Sequence, residues 1–163
     1  MQEQDRAPAL RPPARLVMRL AHLWFLLARP LTLGARGVVL DEVGRVLLVK
    51  HGYVPGWQLP GGGVEVGETL VEALERELAE EANVALEGPP TLHGVFFNRR
   101  VSRRDHVAVY VVRRFRVTGE REPDREIVAA RFFSADALPP GTTRGTRSRL
   151  AEVLEGAPIS PHW

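Results

Sequence analysis

Cysteine is missing from all 163 residues. Its absence excludes a disulfide framework, a thiolate metal site and a thiol nucleophile, and suits a reducing, cytoplasmic setting. Lysine is almost missing as well, since Lys50 is the single one among 22 basic residues. No apolar run is long and charge-free enough to span a bilayer, so no transmembrane segment is expected. Internal repeats and a second domain are also lacking. What remains, 44% hydrophobic and 26% charged residues, is the composition of an ordinary globular chain with one core.

Net charge is small at +2, yet it conceals a separation. Between Gly62 and Glu87, eight glutamates face Arg76 alone, leaving −7. Between Phe97 and Arg149, thirteen arginines face six acids, leaving +7. An acidic segment followed by a basic one points to a cation on the first and an anion held partly by the second. A solvated acidic helix with an arginine-rich surface is the plainer alternative. The basic half lacks the interleaved aromatics of a single-strand platform, so no specific nucleic-acid partner is expected.

Residues 1–13 are polar and proline-rich, which predicts a disordered tail. Residues 14–29 form an apolar helix by spacing, with Leu16, Leu20, Leu23, Trp24 and Leu27 on one stripe. It carries too many arginines to cross a membrane, and Arg29-Pro30 sits where a signal peptide would need small residues. A helix this apolar must be covered, either by its own domain, by a second copy in a homodimer, or by a membrane surface. Residues 35–51 read as a hairpin turning at Glu42 to Gly44. "WQLPGGGVEVGE" is a short strand entering a glycine-rich loop. A helix over 69–82 follows, then strands near 92–98, 106–117 and 127–133, and a last helix over 144–155 capped by Thr142 or Thr143. The whole is a mixed α/β pattern with strands on both sides of the central helix.

That central helix sorts its acids. At about 100° per residue, with Glu77 at zero, Glu80 falls near −60° and Glu81 near +40°. Val71, Leu74, Leu78 and Ala82 gather at about 60° to 140° by the same geometry as the core face, and Glu72 and Glu75 point away. Like charges three and four apart repel, so the crowding of Glu77, Glu80 and Glu81 beside the buried face calls for a cation. Oxygen donors without sulfur or a local histidine suit Mg²⁺ or Mn²⁺ rather than zinc.

The stretch "GGVEVGETLVEALERELAEEANV", Gly62 to Val84, resembles the signature box of Nudix hydrolases. Gly62, Glu68, Arg76, Glu77, Leu78, Glu80, Glu81 and Val84 all stand at matching positions, and Asn83 replaces the closing glycine. Asparagine tolerates the left-handed backbone that ends helices. "WQLP" before the box and "ARFFSADALP" after it agree, so the resemblance covers roughly residues 33–139 and its domain is expected over 33–157.

The resemblance implies an α/β/α sandwich around a mixed β-sheet, with the N-terminal helix as an addition. It implies a metal-dependent enzyme that cleaves a phosphoanhydride in a nucleoside diphosphate linked to another group. Glu77, Glu80, Glu81 and the Gly61 carbonyl would hold Mg²⁺, with Mn²⁺ as substitute, while Gly62 and Glu68 support the loop and Arg76 fixes a carboxylate. Glu80 and Glu81 are candidate bases, with Glu126 further downstream. Lys50, Arg36 and Tyr53 are the candidate substrate contacts. Trp57, Phe96 and Phe97 read as core, Arg99, Arg100, Arg103 and Arg104 as a basic hairpin tip, and His51, His93 and His106 show no ligand spacing. A catalytically inactive nucleotide-binding module is the competing class, disfavoured by an intact set of carboxylates. Marks of the ADP-ribose, dinucleoside-polyphosphate and NADH subgroups are not visible, which leaves nucleoside triphosphates, oxidised ones included, and nucleotide sugars open.

Overall fold

The computed structural model describes residues 12–163; the greater part of the expected tail lies outside the described residues. In chain order the elements are α1 (Pro12–Ala28), β1 (Thr32–Val39), β2 (Val46–His51), β3 (Trp57–Gln58), β4 (Gly61–Gly63), α2 (Leu70–Ala82), β5 (Val84–Leu86), β6 (Thr91–Phe97), β7 (Asp105–Val112), β8 (Phe115–Val117), β9 (Ile127–Phe133) and α3 (Arg144–Glu155). The described residues up to Leu31 form one unit and Thr32–Trp163 another. In the first, α1 starts at Pro12, inside the stretch expected to lack structure. Its Val17, Leu20, Leu23 and Trp24 are exposed. No described helix is long and apolar enough to cross a membrane.

In the second unit a four-stranded mixed sheet has the order β4-β1-β7-β6, a three-stranded sheet the order β3-β2-β9, and β5 pairs with β8. Strands β1 and β7 are parallel, from Thr32 opposite Asp105 to Val39 opposite Val112. The period-two alternation of the strands decides the layers. Ala35, Val39, Leu47 and Ala108 pack with Leu74 and Leu78 of α2, while Val38, Leu40, Leu48, Val109 and Phe96 pack with Leu150 of α3. Two helices on opposite faces of sheet give the sandwich. Leu74 and Leu78 are fully buried, and truncating either to alanine costs about 2–5 kcal/mol.

The expected hairpin over 35–51 is only a corner. Its turn forms, with the Gly44 N–H donating to the Asp41 carbonyl at 3.0 Å, and Leu40 bridges Val46. The strands then part, β1 to β4 and β7, β2 to β3 and β9, because each finds a full ladder elsewhere. The strand expected over 106–117 also breaks, and its last part turns to β5 as β8. Val71, expected on the core face of α2, is 37% exposed; in this first turn it is Leu70 that packs against the core.

Candidate active site

Helix α2 is fixed at both ends by its own residues. The Thr69 side chain accepts the Glu72 N–H at 3.2 Å and the Glu72 carboxylate accepts the Thr69 N–H at 2.8 Å, a reciprocal capping box. At the other end Asn83 adopts φ +51°, the left-handed conformation that its place in the box predicts, and its amide donates to the Glu120 carbonyl at 2.9 Å.

The three carboxylates leave this helix for different surroundings. The Glu81 side chain is 8% exposed, that of Glu77 15% and that of Glu80 63%. Glu81 accepts the Gly61 N–H at 2.7 Å. Burial pushes its carboxyl up to about 7, the Gly61 bond and the Arg36 charge oppose the rise, and the charges of Glu77 and Glu126 add to it. Gly61 has φ +128°, and a Cβ there would stand 2.1 Å from the Ala35 carbonyl oxygen, so only glycine lets the loop run this close to β1. A Cβ on Gly62 would lie 2.4 Å from a Glu77 carboxylate oxygen. The loop backbone therefore lies directly on the carboxylates.

Arg76 ties loop to helix. It donates to Glu68 from Nε at 2.8 Å and from Nη2 at 3.1 Å, to the Gly63 carbonyl at 3.0 Å, and to Glu77 at 2.8 Å. A longer contact reaches Glu80 at 3.4 Å. These bonds hold its guanidinium above its ordinary pKa. The convergence read from helical spacing is thus partial. Among the described residues no three carboxylates or imidazoles stand together as a closed metal cage, and Arg76 provides the positive charge between Glu77 and Glu80.

Three further expected residues come to this place. Arg36 pairs with Gly61 across the β1–β4 ladder and donates to the Leu59 carbonyl; burial pulls its guanidinium below the ordinary value against Glu81 and Glu77. Tyr53 is raised by burial and by the charges of Glu126, Glu81 and Glu77. Glu126 is exposed on the loop entering β9, close enough for its charge to reach Glu81 and His51. Lys50 is not gathered in: it is exposed and points to the face of β2 opposite Leu47 and His51. Trp57 packs edge-on against Phe133 and Phe96 is fully buried, both as core.

His51, which has no ligand spacing in sequence, stands 3.3 Å from the Glu81 carboxylate. The pair has ion-pair geometry, but burial and the Arg36 charge lower the imidazole. On balance the surroundings disfavour the charged ring in this contact, the Glu126 charge alone opposing. Only the tertiary arrangement of β2 over α2 could have disclosed it.

On the α3 side lies a cleft of about 950 Å³, reaching from Gly62 and Gly63 to Arg36, Arg100, Arg144 and Trp163. Of the four arginines at the basic hairpin tip, Arg100 lines it. The segment after α3, beyond the domain limit expected from sequence, forms part of its wall.

The family model described as NUDIX domain matches residues 30–154. The chain is 32% identical over 126 residues to the MutT-like protein of Streptomyces ambofaciens, covering 77% of each. It is 36% identical over 143 residues to the Homo sapiens 8-oxo-dGDP phosphatase NUDT18, which is 83% of this chain but 39% of that relative's length. Among solved structures, the MutT NUDIX hydrolase of Burkholderia pseudomallei superposes with a TM-score of 0.63 at 33% identity, over 75% of this chain and 97% of that one. An ADP-ribose pyrophosphatase of Streptococcus suis superposes at 0.62 with 30% identity, over 81% and 95%. With the box residues in place on a capped helix and these matches around them, the chain belongs to the Nudix family.

Proposed function

We propose that this chain is a Mg²⁺-dependent hydrolase and cleaves a phosphoanhydride bond in a nucleoside diphosphate linked to another moiety, of the nucleoside triphosphate or nucleotide sugar type. The observation that carries the reading is Glu81. This carboxyl group, raised to about 7 with Glu77 and Glu126 nearby, holds the glycine loop through Gly61, and the next two residues of that loop, Gly62 and Gly63, line the cleft that Arg36, Arg100 and Arg144 edge. Relatives named for 8-oxo-dGDP, 8-oxo-dGTP and ADP-ribose support a nucleotide without choosing among them.

Nudix hydrolases generally use divalent metal ions. The donor set fits a hard divalent cation, because Glu77, Glu80, Glu81 and the Gly61 carbonyl offer oxygen alone. When bound, such a cation supplies charge neutralisation of the diphosphate and acidification of water. The chain's own residues do the rest. Arg76 and Glu68 keep the loop on the helix, and Arg36 meets phosphate charge. A carboxylate, Glu81 or Glu80 with Glu126 as the outer choice, accepts the proton of the attacking water as its oxygen bonds to phosphorus. The bond from that phosphorus to the bridging oxygen breaks, and the leaving phosphate takes the electron pair. The intact carboxylates favour turnover over an inactive binding module.

The test is a panel of nucleoside triphosphates, oxidised forms and nucleotide sugars incubated with Mg²⁺ or Mn²⁺. Phosphate release is read directly and after phosphatase treatment. Release that needs the metal and disappears with Glu81→Gln is expected; a panel without any turnover overturns the reading. We assign the chain to the cytoplasm and the exposed face of α1 to a homodimer, which sedimentation analysis of wild type against Leu20→Ser/Trp24→Ser would reveal as a shift from dimer to monomer.

A further inference from the structure

Helix α3 ends at Gly156 with φ +69°, and the chain then turns back along β6. The Phe97 N–H donates to the Pro161 carbonyl at 2.9 Å and the Trp163 N–H to the Phe97 carbonyl at 3.1 Å, which closes a parallel bridge between Phe97 and His162. Beneath this segment Arg149 is fully buried. Its guanidinium lies 3.7 Å from the centre of the Phe96 ring, donates to the His162 carbonyl at 3.0 Å and pairs with Glu152. Glu152 also accepts the Ser160 N–H at 3.0 Å and meets His93 Nε2 at 3.0 Å. Nε of Arg149 has no partner.

A buried ion pair of this kind returns little stability, since apolar residues of equal volume serve as well or better. What it does supply is a fixed position for a segment otherwise held by a few backbone bonds and by the packing of Trp163 on the core. That position matters because Ser160, His162 and Trp163 line the cleft. The Trp163 ring rests on Gly145 in the first turn of α3, where a Cβ would stand 2.5 Å from Nε1, and Arg36 lies over the same ring at 5.9 Å. One end of the cleft thus holds Arg36, and next to it is the Trp163 indole, packed on the core beside Phe96.

We propose that the segment 157–163 is the selecting wall of the cleft, with Trp163 stacking the planar base of the substrate and Arg149, Glu152 and His93 as positioning residues that hold it. The proposal rests on the nucleotide reading above, and its wall, residues 157–163, lies beyond the matched span 30–154. Stacking of a base on an aromatic side chain is sequence-tolerant and is lost on truncation by roughly tenfold to a hundredfold, so the wall separates nucleotides from base-free phosphates more than it separates one base from another.

The experiment is steady-state kinetics of the full chain, Trp163→Ala, Trp163→Phe and Gly145→Ala, on a nucleoside triphosphate that the wild type turns over and on the same sugar triphosphate without its base. For Trp163→Ala we expect KM for the nucleotide to rise about tenfold or more by loss of stacking, while kcat changes much less. The wild-type preference for the nucleotide over the base-free analogue then collapses, with Trp163→Phe intermediate. Gly145→Ala keeps the indole but evicts it, and should reproduce the same split. Arg149→Lys, which keeps the charge but loses the fork shared by His162 and Glu152, should raise KM in the same direction. Wild-type turnover is the control: without it the nucleotide reading itself falls. With it, a preference unchanged in Trp163→Ala or in Gly145→Ala overturns the wall alone.

Discussion

Replacing Glu81 by glutamine should abolish turnover and, at the same time, make the metal-free protein more stable. The reason is the sign of its shift. Burial raises this carboxyl from 4.5 to about 7, so between those values the folded chain keeps a proton that the unfolded chain has released. Stability is then fully present below pH 4.5 and falls as pH rises through 7. At roughly 1.4 kcal/mol per unit the loss reaches about 3 kcal/mol above pH 7. Glutamine carries no charge and keeps an oxygen for the Gly61 N–H, so it recovers on the order of 1–3 kcal/mol at pH 8 and almost nothing at pH 5. For a chain of this size that is about 3–9 °C in melting temperature.

The assay is thermal unfolding of both proteins in EDTA at pH 8 and pH 5, repeated with Mg²⁺, beside phosphate release. Wild type should rise with Mg²⁺ by about 3 kcal/mol at a hundredfold excess over its Kd, and the variant should not respond. A variant that melts no higher relative to wild type at pH 8 than at pH 5 would refute the account of burial, and one that retained near-full hydrolysis would refute the role of Glu81.

Other perturbations probe the loop and the helix ends. Gly62→Ala sets a methyl 2.4 Å from the Glu77 carboxylate and should lower Mg²⁺ affinity by about tenfold or more, the scale seen when groups that orient metal ligands are disturbed, measured by metal titration of the melting temperature. Asn83→Ala and Asn83→Gly both lose the bond to the Glu120 carbonyl, but only alanine strains the φ of +51°, so alanine should be less stable than glycine by about 1 kcal/mol; equal melting points for the two would contradict this. Thr69→Ala removes a capping box and should lower stability by about 1 kcal/mol in chemical denaturation. Arg76→Lys cannot hold Glu68, Glu77 and Gly63 together, and should depress kcat while the circular dichroism of the fold persists.

Local geometry alone determined the helix that carries the candidate carboxylates. Helical spacing put Glu77, Glu80 and Glu81 on one sector, and the helix expected over 69–82, with Asn83 suited to a left-handed close, matches α2 within a residue. Nearest-neighbour rules suffice for such features because each depends on residues within one or two turns. The tertiary structure decided the rest. Glu80 and Glu81 are sequence neighbours of one type, yet one side chain is 63% exposed and the other 8%, because only Glu81 faces the loop and β2. His51 meets Glu81 across a sheet-to-helix contact that no sequence spacing encodes. The corner after Leu40 sends β1 and β2 into different sheets, since long ladders with β7 and β9 outweigh the local turn. The segment after α3, two of whose seven residues are proline, carries no periodicity that announces its place; it is held by Arg149 and Glu152, which also reach Phe96 and His93 on the distant β6. Burial and long-range pairing are sums over the whole fold, so periodicity in one stretch fixes direction around a helix but not what waits there.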